Sequence, residues 1–389
     1  MGPGWFIPLL TLLFGIYSLG TAWVTDVPQA MGVRFLLGMF EAGMLPGIAY
    51  YLSRWYRRSE LTFRLSLYIV MGPLAGAFGG LLASAILTLD SFAGLRTWRM
   101  IFAIEGIVTI VLAVIGFITL TDRPQTARWL SPAEKELADQ RIRSERTGTT
   151  QVLDKMDWTK LLRGVQNPVV ISTSWIFLFC NVTVQGLGFF APTIVRSIYT
   201  ERTTVQQQLF TVPPYIVGAF FTLLLPLLSW RLDRRQIFMI LSAPLGVIGY
   251  IIFLSSKAAS VRYGATFLIA SAVFSLGALT NGQVSANVVT DTARTSAIGL
   301  NVMLGNIGGL ISTWSYLPWD GPDFHIGNGL NLATTASTFI LATLTYFWMI
   351  RDNKKRQARE PEELERLGQL SGSQWEDLDW KHPSFRWRL

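Results

Sequence analysis

The sequence is poor in charged residues, cysteine and histidine. Only 15% of its 389 residues are charged, whereas soluble proteins commonly carry about a quarter. The single cysteine, Cys180, excludes a disulfide framework and a thiolate metal site, and two histidines argue against a histidine-rich centre. No Walker loop, Ser-His-Asp set, HExxH or CxxC arrangement occurs. We therefore expect no cofactor, no metal and no enzymatic activity.

Apolar residues make up half of the chain, and they fall in runs that reach the roughly 20 residues needed to cross a bilayer. This pattern predicts an all-α membrane protein with about ten transmembrane helices. The sixth is the least regular, because Pro213 and Pro214 lie within it. The predicted helices are 5–24, 28–52, 64–88, 100–120, 168–190, 205–229, 236–255, 262–285, 294–317 and 328–350.

Two long polar segments, 121–167 and 351–389, interrupt this pattern. The stretch SPAEKELADQRIRSER in the first predicts a capped surface helix. We therefore expect four parts: an incomplete N-terminal helix bundle (1–120), a cytoplasmic central loop (121–167), a C-terminal six-helix bundle (168–350) and a cytoplasmic tail (351–389). Four of the predicted transmembrane helices precede the central loop and six follow it.

Basic residues concentrate on one side of the predicted topology. If both polar segments are cytoplasmic, the loops on that side hold 26 of the 33 lysines and arginines, as the positive-inside rule requires. This placement accounts for the net charge of +8 without a nucleic acid partner. We expect a multi-pass protein, of the plasma membrane, with both termini in the cytoplasm.

Two charges lie inside the apolar stretch RFLLGMFEAGMLPG. Arg34 and Glu41 are seven positions apart, which places them on one face of a helix and about 10 Å apart along its axis. That distance is too long for a direct bond in a straight helix. Charges in membrane helices usually face a cavity or the bundle interior. Both a functional pair and two structural interhelix anchors fit this pattern.

A family resemblance rests on this stretch and its surroundings. RFLLG resembles the Arg-x-x-x-Gly element in the fourth helix of major facilitator superfamily transporters. The longer string RFLLGMFEAGMLPGIAYYLSRWYRRSEL resembles the anion:cation symporter group and, within it, the fungal allantoate permease-like family. Five further strings resemble later parts of that family: GAFGGLLASAI, TWRMIFAIEG, DRPQTARWLSPAE, LFTVPPYIVGAF and HPSFR. Because the family has six plus six helices, the resemblance implies that this chain starts at the third helix.

The resemblance also implies roles for the two charges. Glu41 corresponds to the proton-coupling glutamate and Arg34 to an arginine of the charge network around the anion site. A carboxyl group in a low-dielectric cavity can take up a proton near neutral pH, and a nearby anion or arginine shifts that balance. Proton and anion are then energetically coupled, as symport requires.

Uncharged polar side chains on the later helices are candidates for a substrate cavity. Amides of this kind can bind a carboxylate, a sulfonate or another amide. They can equally form hydrogen bonds between helices, each worth a fraction of a kcal/mol. The candidates are Asn181, Gln185, Asn281, Gln283, Asn301 and Asn306.

The stretch SWRLDRRQ, residues 229–236, resembles a weakened form of the family's cytoplasmic gate loop. Asp233 with Arg234 and Arg235 can pair across a cytoplasmic seam and hold one state of a transport cycle. A plain positive-inside loop is the alternative. Taken together, the sequence predicts a proton-coupled symporter of a small organic anion, such as a carboxylate, ureide or sulfonate, that works by alternating access as a monomer. The alternatives are a non-transporting, receptor-like or truncated protein of the same fold and, more remotely, a membrane-embedded enzyme.

Overall fold

A computed structural model describes residues 2–56, 58–87, 91, 94–95, 98–143, 158–202, 204–367 and 378–389. Residues 144–157 of the predicted central loop and 368–377 of the predicted tail therefore lie outside the described part of the chain. No β-strand occurs among the described residues. Nine of their helices are long and apolar enough to cross a membrane, and Phe63–Gly79 forms a shorter apolar stretch. The predicted all-α membrane fold is confirmed.

The described residues form fourteen α-helices. The first six are α1 (Pro3–Gly20), α2 (Val27–Glu41), α3 (Met44–Trp55), α4 (Arg58–Ile69), α5 (Met71–Leu87) and α6 (Trp98–Thr119). Two shorter ones follow in the polar segment, α7 (Pro132–Arg143) and α8 (Trp158–Val165). The last six are α9 (Pro168–Ile198), α10 (Thr204–Leu232), α11 (Arg235–Ser255), α12 (Ala259–Ala286), α13 (Asp291–Thr313) and α14 (His325–Leu367).

Several helices differ from their predicted bounds. The predicted helix 64–88 is divided into α4 and α5 at Val70, and the predicted helix 28–52 is divided into α2 and α3 after Glu41. α14 continues to Leu367, well past the predicted end at residue 350. At 1.5 Å per residue its 43 residues extend about 64 Å, so the first part of the predicted tail is helix.

The capped surface helix predicted at Ser131 is present as α7. The backbone N–H of Ser131 donates to the Glu134 carboxylate at 2.8 Å, and the N–H of Glu134 donates back to the Ser131 hydroxyl at 3.3 Å. This reciprocal arrangement is a capping box. The hydrogen bonds that the Ser131 N–H and hydroxyl donate to the Glu134 carboxylate hold the pKa of Glu134 below its ordinary value.

The helices fall into two compact units. The first comprises Met1–Arg57 and Phe78–Glu145, and the second comprises Arg58–Ala77 and Arg146–Leu389. In the first unit, α1 packs chiefly against α6 and also contacts α2 and α3. In the second unit, α4 packs against α10 and α12, so residues 58–77 group with the later helices.

α10 is continuous in spite of its prolines. Pro213, Pro214 and Pro226 all lie inside the single helix Thr204–Leu232. Tertiary contacts support the region, because the Tyr215 hydroxyl donates to the Leu187 carbonyl at 2.9 Å. Membrane helices tolerate proline where neighbouring groups satisfy the freed backbone.

The most extensive helix contact among the described residues of the second unit is between α9 and α13, and a glycine allows the two backbones to approach. A Cβ atom added at Gly308 would lie 2.3 Å from the carbonyl oxygen of Leu178. Backbone atoms cannot move aside as a flexible side chain can. The α9–α13 contact therefore depends on the missing side chain at Gly308.

We expect Gly308→Ala to lower the free energy of unfolding by about 1–3 kcal/mol, the usual cost of overpacking. Gly299 on the same helix is the matched control, because a Cβ atom there would meet nothing within 4 Å. Thermal unfolding of both variants in detergent measures the difference. Equal melting temperatures for the two variants would contradict the contact.

Candidate functional site

In the first unit, the two predicted charges lie on a helix that other described residues hardly cover. Arg34 and Glu41 belong to the 26-residue span Val27–Leu52, and 6% of its apolar 18-residue window is buried. Glu41 is near the middle of that span and is the last residue of α2. The helix is interrupted immediately after it, and α3 begins at Met44. Interrupted helices at mid-membrane depth commonly border ion and substrate sites.

No hydrogen bond or ion pair joins Arg34 to Glu41, as their spacing predicted. The Arg34 guanidinium instead lies over the ring of Phe102 on α6, 4.8 Å from its centroid. No acid among the described residues pairs with Arg34, so this cation–π contact leaves its positive charge uncompensated there. Both side chains are exposed in the structure. A charge at the centre of a membrane helix costs about 2.5–3.5 kcal/mol on insertion scales, so both groups require water or a polar partner.

In the second unit, Asn281 of α12 and Asn301 of α13 form a buried pair. The Asn301 Nδ2 donates to the Asn281 Oδ1 at 3.0 Å, and both residues are fully buried. The Asn281 Nδ2 donates to the Gly277 carbonyl at 2.8 Å. The Asn301 Oδ1 accepts no hydrogen bond from any residue that the structure describes. This pair matches the structural alternative, a hydrogen bond between helices.

Asn181 and Gln185 are half-buried on α9 and face glycines of α13. A Cβ atom at Gly305 would lie 3.0 Å from the Asn181 amide nitrogen, and one at Gly309 would lie 3.1 Å from Gln185 Cγ. Asn306 is exposed on α13 and donates to the Val302 carbonyl at 3.1 Å. The α9 amides therefore share one helix contact, and Asn306 stays on the uncovered side of its helix.

Gln283 is placed differently from the other candidates. Its amide nitrogen donates to the backbone carbonyl of Arg388 at 2.7 Å, and the side chain is fully buried. The structure thus uses Gln283 to hold a distant segment of the chain. This contact matches the structural alternative, an amide that bonds to another part of the chain.

The predicted gate loop ends α10 in a compact turn. The N–H of Arg234 donates to the Ser229 carbonyl, and the N–H of Asp233 to the Trp230 carbonyl, which is the Schellman pattern. Asp233 has a φ of 49°, a conformation that aspartate tolerates better than most residues. Its carboxylate pairs with Arg235 at 3.2 Å and with Arg388 at 3.0 Å. Arg234 is exposed.

Comparison with known proteins identifies the family. The sequence pattern of the Major Facilitator Superfamily matches residues 1–313. The chain belongs to the Major Facilitator Superfamily. The prediction of a transporter rather than an enzyme is confirmed at this level, because the relatives are themselves named transporters.

Two fungal members of the superfamily illustrate the similarity. An uncharacterized transporter of Schizosaccharomyces pombe is 30% identical over 357 residues, which cover 92% of this chain and 73% of the relative. The high-affinity nicotinic acid transporter of Saccharomyces cerevisiae is 27% identical over 358 residues, covering 92% of this chain and 66% of the relative.

Solved structures of the superfamily share the fold. The proton:xylose symporter XylE, bound to 6-bromo-6-deoxy-D-glucose, superposes with a TM-score of 0.64 at 17% identity and covers 88% of this chain and 79% of its own. A bacterial homologue of the human lysosomal transporter Spinster, in an inward-facing and unoccupied conformation, superposes with a TM-score of 0.56 at 16% identity, covering 90% of this chain and 83% of its own.

The sequence did not predict which residues of this superfamily member anchor its loops. Arg262 of α12 is buried and pairs with Asp323 at 2.7 Å, while its Nε donates to the Ser256 carbonyl at 2.6 Å. One arginine thus ties the loop before α14 to the loop after α11. The sequence offers no local signal for this pair, because Arg262 lies 61 positions before Asp323.

The Arg262–Asp323 pair predicts a pH-dependent term in stability. Hydrogen bonding from Arg262 holds the pKa of Asp323 below its ordinary value. The pair therefore contributes its full share to the free energy of unfolding above the pKa of the carboxyl group in the unfolded chain, about 3.9. This share is lost as the pH falls through the pKa of Asp323 in the folded protein. We expect Asp323→Asn to cost up to about 1 kcal/mol at pH 7, a difference that shrinks below about pH 4. Thermal unfolding at several pH values measures it, and a constant difference would contradict the pair.

Proposed function

We propose that this transporter is a proton-coupled symporter of a small organic anion, of the anion:cation symporter group and its fungal allantoate permease-like family. The observation that carries the proposal is the placement of Arg34 and Glu41 on one face of a membrane helix without a bond between them. An arginine that lies over an aromatic ring and pairs with no acid among the described residues is available to an anion. A carboxyl group at mid-span is available to a proton.

The two charges suggest how coupling arises. When Glu41 is ionised, its negative charge opposes the entry of an anion into the region around Arg34. Protonation removes this repulsion, so that proton and anion favour each other's binding by the same free energy. A coupling of this type needs both groups in a water-accessible but weakly polar environment.

The second unit carries neutral donors of its own that are candidates for the substrate cavity. Asn181 and Gln185, half-buried on α9, can donate to the oxygens of a carboxylate or a ureide. Asn281 and Asn301 hold α12 to α13 and act as structural groups. Nicotinic acid, the substrate in the name of one relative, is a small aromatic carboxylate. This relative supports the carboxylate class and makes nicotinate a first compound to test.

The remaining sequence predictions stay part of this proposal. The charge distribution favours cytoplasmic termini and a cytoplasmic central loop, and we propose the plasma membrane as the location and a monomer as the working unit. The mechanism is alternating access, in which helix bundles move largely as rigid bodies. Asp233 with Arg234 and Arg235 is the proposed gate loop of that cycle.

Uptake into proteoliposomes tests the function. Purified protein is reconstituted, and uptake of labelled nicotinate, allantoate and a sulfonate is measured with and without an inward proton gradient. We expect at least one carboxylate or ureide to accumulate only when the gradient is present. Saturable binding without gradient-driven uptake in correctly inserted protein would overturn symport and favour a receptor-like protein of the same fold.

A further inference from the structure

A short segment of the chain is bound to the second unit as a ligand would be. Residues Asp379–Leu389, called here the docked segment, lie against the ends of several helices. Within the described residues they contact the beginnings of α9, α11 and α13, the end of α12 and the middle of α14. The sequence motif HPSFR lies within the docked segment, and nothing in the proposed transport chemistry uses it.

Trp387 is the anchor of the docked segment. Its side chain is 2% exposed and packs against Val169 of α9 and Met349 of α14. The indole N–H donates to the Asp352 carboxylate at 2.7 Å. Asn353 bonds to the Trp387 backbone twice, accepting from its N–H at 2.8 Å and donating to its carbonyl at 3.0 Å. A buried aromatic side chain with paired main-chain bonds is typical of peptide recognition.

The next residues bind by their backbone to α12. The N–H of Arg388 donates to the Asn287 side-chain oxygen at 2.9 Å. The Arg388 carbonyl accepts from Gln283 at 2.7 Å and from Asn287 at 3.2 Å. The carbonyl of Leu389 accepts from the backbone N–H of Arg235 at 2.7 Å. Gln283, one of the candidate substrate ligands, and Asn287, the residue after α12, therefore bond to the main chain of the docked segment.

Asp379 binds the beginning of α13. Its carboxylate accepts from the Thr290 N–H and hydroxyl, both at 2.9 Å, and from the Val289 N–H at 3.2 Å. Asp379 has a φ of 48°, the left-handed conformation that aspartate tolerates better than most residues. A residue far along the chain thus satisfies backbone donors that a helix N-terminus leaves open.

We propose that this end of the second unit is a peptide-docking site whose occupant is the chain's own docked segment, and that its occupancy positions the hairpin between α12 and α13. The site comprises Asp352, Asn353, Gln283, Asn287 and Arg235, with Trp387 as the anchor it receives. The docked segment bonds to the turn 287–290 from both sides. That turn joins the helices that carry Asn281 and Asn301, so docking fixes the relative position of the two helices. Only this last consequence, an effect on transport, rests on the proposed function.

Binding of a peptide in trans tests the site. The full-length Trp387→Ala variant is titrated with a fluorescent, amidated peptide of residues 378–389. We expect the peptide to bind this variant saturably. Its binding to the unsubstituted protein, whose site is occupied, should be at least about tenfold weaker. A peptide that itself carries the Trp387→Ala substitution should also bind the variant at least about tenfold more weakly. Equal binding by both peptides would overturn the proposal.

A spin label tests docking in the intact chain. Ser384 is exposed, and Cys180 is buried, so Ser384→Cys offers one accessible thiol. We expect the label to be immobilised in this background and mobile after Trp387→Ala. Trp319→Ala is the control, because Trp319 is 72% exposed. Asn353→Ala, which removes the two main-chain bonds, is a second variant if Trp387→Ala does not fold. An equally mobile label in all variants would overturn docking.

Transport separates this inference from the proposed function. If the docked segment positions the α12–α13 hairpin, Trp387→Ala lowers the uptake rate at least about threefold, and the added peptide restores it. If the added peptide binds to Trp387→Ala but does not restore its uptake, the proposal that the docked segment positions the α12–α13 hairpin is overturned. Absence of uptake in every variant, including the unsubstituted protein, would overturn the proposed symport, while the peptide titration and the spin label would still decide docking.

Discussion

Replacement of Glu41 by glutamine is expected to abolish anion accumulation driven by a proton gradient. A difference of one pH unit supplies about 1.4 kcal/mol for each proton carried, which corresponds to about tenfold accumulation of a co-transported solute. Glutamine has nearly the same shape but cannot take up a proton. We therefore expect the accumulation ratio of Glu41→Gln to fall from about ten to about one under the same gradient.

A second measurement separates coupling from folding. Exchange of labelled for unlabelled anion at equal pH requires binding and conformational change but no net proton movement. We expect Glu41→Gln to retain this exchange. Glu105→Gln is the matched control, because Glu105 is a partly buried glutamate of the same unit on the apolar helix α6. Full gradient-driven accumulation by Glu41→Gln would show that another group carries the proton.

The sequence alone predicted much of the fold, because membrane helices are dictated by continuous apolar length. It also predicted the capping box at Ser131, where the signal lies within four residues. It predicted a single helix, 205–229, in spite of Pro213 and Pro214, but it did not predict the interruption after Glu41. Whether a helix is interrupted depends on packing, since a neighbouring helix decides whether freed backbone groups are satisfied.

The candidate site shows the same limit more sharply. The spacing of Arg34 and Glu41 correctly predicted that no bond joins them. The role of an amide side chain is ambiguous, because the same group can form hydrogen bonds with a substrate, with a neighbouring helix or with the backbone of another segment. Asn281 accepts a hydrogen bond from Asn301 of α13, and Gln283 donates one to the backbone carbonyl of Arg388. The 105 positions between Gln283 and Arg388 leave no local sequence signal for that contact.

Replacement of Arg34 by alanine is expected to weaken anion binding about tenfold to hundredfold. A hydrogen bond to a charged group contributes about 1.5–3 kcal/mol, and each 1.4 kcal/mol is a factor of about ten in affinity. Arg34→Lys keeps the charge but loses the planar guanidinium that stacks on Phe102, so we expect an intermediate affinity. Equilibrium binding of a transported carboxylate to the purified variants measures these effects.

The uncharged amide of the same carboxylate decides whether the charge itself is responsible. If Arg34 binds the anion directly, Arg34→Ala weakens the binding of the carboxylate at least about tenfold and the binding of the amide by less than about threefold. Arg99→Gln is the control, because the Arg99 guanidinium donates to the Val24 carbonyl at 3.0 Å and serves as a brace; its loss is expected to affect both ligands equally. Equal weakening of both ligands by Arg34→Ala would mean that Arg34 acts through its packing on Phe102. The anion would then owe its binding to neutral donors, and Asn181 and Gln185 would be the next residues to replace.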